Sequence, residues 1–144
     1  MGSSPQGTIY IYGQAVEPTN GTVNVSDQGI GVDNNKMGTG EELSFEFYAD
    51  QARSIPLALT SLGFSVDFLA DNEKMFVSLF SDGAQIGVPI ELTGATNAGD
   101  NANDDSFLEV SAEDAGLTAG TTFDEVHFLP GLGKDDYRLL FTTL

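Results

Sequence analysis

The 144-residue chain sets 22 acidic side chains against five basic ones, a formal net charge of −17, and has no cysteine, no tryptophan and one histidine. That charge repels phosphate backbones and anionic lipid, with no Lys/Arg cluster as a local exception, so nucleic-acid and membrane-surface binding are excluded as functions. Without cysteine there are no disulfides, thiol nucleophiles, zinc–thiolate sites or iron–sulfur centres.

Ten phenylalanines and 40% apolar residues supply core material that a disordered acidic chain lacks. The length predicts one domain, placed at residues 8–144, with 1–7 lying outside it. Met1-Gly2-Ser3-Ser4 reads as an added start, so the natural protein is expected to be longer. No stretch reaches the roughly 18 apolar residues of a membrane helix, and no leader pattern opens the chain.

Apolar residues alternate, or occur in short runs broken by Gly, Asn and Asp, as in short strands joined by turns. In chain order the predicted strands are Thr8–Tyr12, Thr22–Val25, Glu42–Tyr48, Ile55–Thr60, Phe64–Ala70 and Met75–Phe80. Gln85–Leu92, Ser106–Val110, Phe123–Leu129 and Tyr137–Thr142 complete the set. Leu43, Phe45 and Phe47 should face a core while Ser44 and Glu46 face away, and Ile86, Val88 and Ile90 should share a face. Asp82-Gly83 predicts a tight hairpin, and Pro89 marks the following strand as an edge or bulged strand. Ser111–Leu117 is the one predicted helical turn, with Ser111 as N-cap and Asp114 as the acidic third residue. The predicted fold is therefore all-β: an antiparallel β-sandwich, jelly-roll-like, with calcium-binding loops.

The calcium expectation starts from Asp100-Asn101-Ala102-Asn103-Asp104-Asp105, where five of six side chains offer hard oxygens within the 94–105 connection. Calcium takes six to eight such ligands in irregular geometry, and a bound divalent ion relieves the mutual repulsion of crowded carboxylates. The spacing is not that of an EF-hand, and a solvated polar loop is the competing reading. Gly131-Leu132-Gly133-Lys134-Asp135-Asp136 matches part of a calcium-binding nonapeptide, as a single degenerate copy. Asp27, Asp33, Asn34 and Asn35 form a third polar group, and Asp71-Asn72-Glu73 a fourth; Asx residues are also ordinary turn formers.

Enzymatic readings lack their parts. His127 is expected to be an ordinary exposed strand residue on an outward face, no elbow motif surrounds any serine, and no phosphate loop or dinucleotide fingerprint occurs. A non-enzyme is predicted.

Gly29-Ile30-Gly31-Val32-Asp33, Gly40-Glu41-Glu42-Leu43-Ser44-Phe45-Glu46-Phe47, the 94–105 loop, and Phe123-Asp124-Glu125-Val126-His127-Phe128 with Asp135-Asp136-Tyr137 together resemble the peptide-binding module of bacterial RTX adhesins. The resemblance spans most of residues 21–144. It implies a β-sandwich on the bacterial cell surface, one monomeric domain of a long secreted protein in adhesion and biofilm formation, using Ca²⁺ to grip the C-terminal end of a partner peptide. Metal ligands would fall on Asp33, Asp100, Asn101, Asp104 and Asp105, with Asp135 added from the nonapeptide-like turn. Ligand contacts would fall on Asp33, Asp71, Asn72, Asp100, Asn103 and Asp104. Asp124 is either structural or a further ligand. A calcium-dependent carbohydrate-binding module and a calcium-stiffened spacer are the alternatives; Tyr10, Tyr12, Tyr48 and Tyr137 are the only amphipathic platforms for a sugar. The five basic residues are too scattered in sequence to promise a positive centre for a carboxylate.

Overall fold

The structure, a computed structural model, describes residues 9–17, 21–26, 29–32, 41–67, 74–93, 105–132 and 138–141. Its strands are β1 Tyr10–Glu17, β2 Val23–Ser26, β3 Gly29–Val32, β4 Glu42–Tyr48, β5 Ser61–Asp67, β6 Lys74–Ser81, β7 Ala84–Thr93, β8 Asp105–Ser111, β9 Glu125–Leu132 and β10 Arg138–Phe141. All pairings are antiparallel, in two five-stranded sheets ordered β1-β4-β9-β6-β7 and β2-β3-β10-β5-β8. The all-β expectation holds.

Alternation places the core where the sequence puts it in β4: Leu43, Phe45 and Phe47 are buried and Glu46 is only partly so, whereas Ser44, in register with Gln14 and His127 of the flanking strands, is also buried at 5%. The two sheets contribute to one apolar cluster. Phe64 of β5 stands edge-on to Phe128 of β9, with ring centroids 5.0 Å apart, and Phe45 of β4 meets the same ring at 5.8 Å. Edge-to-face geometry sets the positive ring edge against the negative face, adding to the hydrophobic gain.

The β6–β7 hairpin forms as predicted. Ser81 pairs with Ala84 across Asp82 and Gly83, whose φ angles of 55° and 79° are the two positive values of a type I′ turn. Strand β7 is an edge, and its register jumps from Val77↔Ile90 to Leu79↔Ile86, so residues 87–89 bulge opposite Ser78. Pro89 thus sits where no ladder bond is demanded. The bulge also corrects the expectation for Val88: it is 61% exposed, whereas Ile90 is buried, because the extra residues rotate it off the core face.

The helical turn is a 3₁₀ segment, Ala112–Ala115, in which the Asp114 carboxylate accepts from the Ser111 backbone N–H at 2.8 Å and Gly116 closes the turn at φ 82°. The predicted strand Ile55–Thr60 is not one. It makes isolated bridges, Tyr48↔Pro56 and Leu59↔Phe123, because Pro56 withholds a donor and Ile55 is 56% exposed. Strand β3 was not predicted, since Gly29 and Gly31 alternate with only two apolar residues.

Candidate functional site

Two regions carry chemistry-bearing residues. At one end of the second sheet β3 finishes at Val32, β5 finishes at Asp67, β8 starts at Asp105 and β10 starts at Arg138. The register pairs Arg138 with Asp67 and Asp67 with Asp105, so antiparallel alternation brings these four strand ends together. Asp105 is the one expected ligand within the described residues. The chain continues from these ends into 33–40, 68–73, 94–104 and 133–137, which lie outside the described residues and carry Asp33, Asp71, Asn72, Asp100, Asn101, Asn103, Asp104 and Asp135. Among the described residues no group of three or more His, Asp or Glu is disposed to hold a metal.

The other region is the outer face of the first sheet. Here β4 presents Glu42, Ser44, Glu46 and Tyr48, with Gln14, Tyr12 and Tyr10 of β1 and His127 and Glu125 of β9 as cross-strand neighbours. Glu46 and Glu125 stand directly opposite, a repulsive arrangement that each relieves through its own partner. Glu46 Oε1 accepts the Tyr48 hydroxyl proton at 2.5 Å, and Glu125 Oε2 lies 2.7 Å from His127 Nε2.

His127 does face outward, but it is not an exposed residue. Its side chain is 13% exposed, stacked on Phe80 at 4.0 Å and held between Glu125 and Glu42, whose Oε2 is 2.7 Å from Nδ1. Both ring nitrogens are taken by carboxylates, leaving neither directed at Ser44, which sits opposite in register and points its hydroxyl toward the Gln14 carbonyl at 3.4 Å. Asp124 ties hairpin to sheet: its N–H donates to the Phe80 carbonyl at 3.0 Å and its carboxylate accepts from Asp82 N–H at 3.4 Å.

The Tyr48 phenol is pushed up from 10.0 to about 12, first by donating to Glu46, then by burial and the Glu46 charge, with Arg53 opposing. A raised phenol contributes stability that is complete below pH 10 and lost as pH climbs through about 12. In a spectrophotometric titration, Tyr48→Phe should remove one late-ionising phenolate from the curve, and Glu46→Gln should bring that phenolate back toward its ordinary value. An unchanged curve in Tyr48→Phe would refute the assignment.

Beyond Tyr48 the chain turns on Asp50. Its carboxylate accepts from Ser54 N–H at 2.9 Å, from Ile55 N–H at 2.8 Å and from the Ser54 hydroxyl. That hydroxyl, followed by the backbone donors, holds the Asp50 carboxyl below its usual range. The same turn holds Arg53 at φ 60°, a left-handed conformation costly for a side-chain-bearing residue. The guanidinium consequently lies over the Tyr12 ring, 3.9 Å from its centroid. Arg53, Gln51, Tyr10, Ile11, Tyr12 and Tyr48 line an open recess of about 330 Å³. Among the described residues no carboxylate pairs with Arg53. This positive centre was not anticipated from the sequence; the Asp50/Ser54 spacing was its only local signal.

Comparisons with protein families, with curated proteins and with solved structures found no match to the chain.

Proposed function

We propose that the chain is a non-catalytic, calcium-dependent ligand-binding module of a bacterial surface adhesin, built as a jelly-roll β-sandwich, that grips the C-terminal end of a partner peptide. What carries this reading is the common origin of the acidic segments. The four segments richest in Asp and Asn continue from strand ends that neighbour one another in register at one end of the second sheet. Hard oxygens supplied by several loops are what an irregular calcium site requires, and an incompletely coordinated ion gives a terminal carboxylate the positive partner that a −17 surface denies it. Asp33, Asp100, Asn101, Asp104, Asp105 and Asp135 are the proposed ligands of the ion, with Asp71, Asn72 and Asn103 beside the peptide. The strand order supports the jelly roll: β3-β10-β5-β8 and β4-β9-β6-β7 are its two four-stranded sheets, with β1 and β2 added at the ends.

A second reading, a calcium-dependent carbohydrate-binding module, is favoured by one observation: Tyr10, Tyr12 and Tyr48 share the recess beside Arg53. Amphipathic rings gathered on a sheet face suit the apolar faces of sugars.

Melts in matched salt with and without chelator test the calcium claim. One site at a hundredfold excess of ion over its dissociation constant adds about 2.7 kcal/mol to folding stability. Equal midpoints would overturn it. Calorimetry in calcium, with free C-terminal peptides, their amides and neutral glycans, tests the ligand. Amidation should weaken binding at least tenfold, about 1.4 kcal/mol. Binding to glycans alone would establish the second reading.

A further inference from the structure

Strand β1 closes one edge of the first sheet, and no described strand pairs with its outer side. Phe47 N–H donates to the Asp124 carbonyl, on the β9 side of β4. Main-chain groups alternate along a strand, so Glu46 and Tyr48 face β1 and are met by Tyr12 and Tyr10. Ile11 and Gly13 therefore direct their N–H and C=O groups to the open edge. Among the described residues no strand takes up those groups, and apolar surface accompanies them: Ile9, Ile11 and Tyr12 are 37%, 40% and 39% exposed. From Tyr10 to Val16 the strand carries no charged residue, Glu17 being its one charge at the far end; an open edge without charge, proline or a cover is a template for another strand.

We propose that this edge accepts an extended peptide as an added strand, and that Arg53 pairs with a carboxylate on it. The occupant follows from charge. Arg53 is a guanidinium fixed over Tyr12, with no carboxylate partner among the described residues, on a chain whose net charge of −17 otherwise repels anions. A peptide bearing a carboxylate satisfies it with paired N–H···O bonds, while a β-branched or aromatic side chain of that peptide fills the recess between Tyr10 and Tyr48. A second copy of the chain would bring another strongly negative body to the same edge. This site shares no residue with the acidic segments, so it is independent of calcium and stands or falls apart from the preceding reading.

The probe is a library of N-acetylated hexapeptides in which valine and threonine alternate with randomised positions, with a carboxylate at the C-terminus or on a penultimate Glu. The strongest binder should lose at least tenfold in affinity with Arg53→Gln, and equally when its carboxylate is neutralised. Amidation and Glu→Gln in the probe separate a terminal from a side-chain source. Ile11→Pro, tolerated in the fold because that N–H faces outward, should abolish binding. N-methylation along the probe should weaken binding at alternate amides only, and chelator should change nothing. Overturning results are no binder in the library, N-methyl effects without a period of two, or affinity insensitive to both variants. Sedimentation of the protein alone gives the remaining outcome: a dimer dissolved by Ile11→Pro would make a second copy the occupant and overturn the peptide.

Discussion

Phe128→Ala is expected to destabilise the fold by about 3–5 kcal/mol, the range for removing a fully buried aromatic side chain. Phe128 is 0% exposed on the central strand of the first sheet, and its ring is the contact on which Phe45 and Phe64 both converge. Alanine forfeits the transfer free energy of the ring and the two edge-to-face contacts. It also leaves a cavity between sheets whose other large side chains are already packed. Urea unfolding with an unchanged slope and a lowered midpoint is the readout; Phe128→Leu should recover part of the loss by refilling volume. A cost below about 1 kcal/mol for alanine would mean that the two sheets do not share this ring as their common contact.

Gly87→Ala should cost about 2–5 kcal/mol, although it adds a single methyl group. Two penalties combine: the left-handed backbone costs an L-residue roughly 1–2 kcal/mol, and overpacking typically adds 1–3 kcal/mol. Gly87 has φ 68° within the β7 bulge, where a Cβ would lie 2.5 Å from the Ala115 carbonyl oxygen and 2.8 Å from the Ala115 Cβ. The obstacle is backbone of the 3₁₀ turn, so no rotamer change relieves it. Gly83→Ala is the control: it has φ 79° with nothing within 4 Å of its Cβ, and should show the conformational penalty alone. Equal losses at the two glycines would show that the bulge does not pack on the turn.

Local chemistry wrote a large part of this architecture into the chain. Glu42–Tyr48 alternates so regularly that its strand bounds and inward residues follow directly, and Asp82-Gly83 demands the two positive φ angles that close the hairpin. Ser111 and Asp114 likewise cap a turn through neighbours only three residues apart. Where the pattern failed, a local breaker or a ladder to another strand outweighed apolar alternation. The Ile55–Thr60 run is apolar enough for a strand, yet its exposed Ile55 and its proline leave it as two bridges. Strand β3 has a weak pattern of its own and is defined by its ladders to β2 and β10.

The chain by itself thus determined an all-β fold, a strongly acidic character and the segments in which Asp and Asn are concentrated, because composition and period-two alternation are properties of neighbours in sequence. Only the tertiary structure decided which of the scattered polar residues meet. His127 lies 85 residues from Glu42, and no spacing rule announces their contact. Arg53 reaches Tyr12 because one strand register brings Tyr10 opposite Tyr48 and one aspartate-capped turn folds back across them. Antiparallel pairing likewise gathers the ends of β3, β5, β8 and β10, since register, unlike strand propensity, is set by the packing of both faces at once.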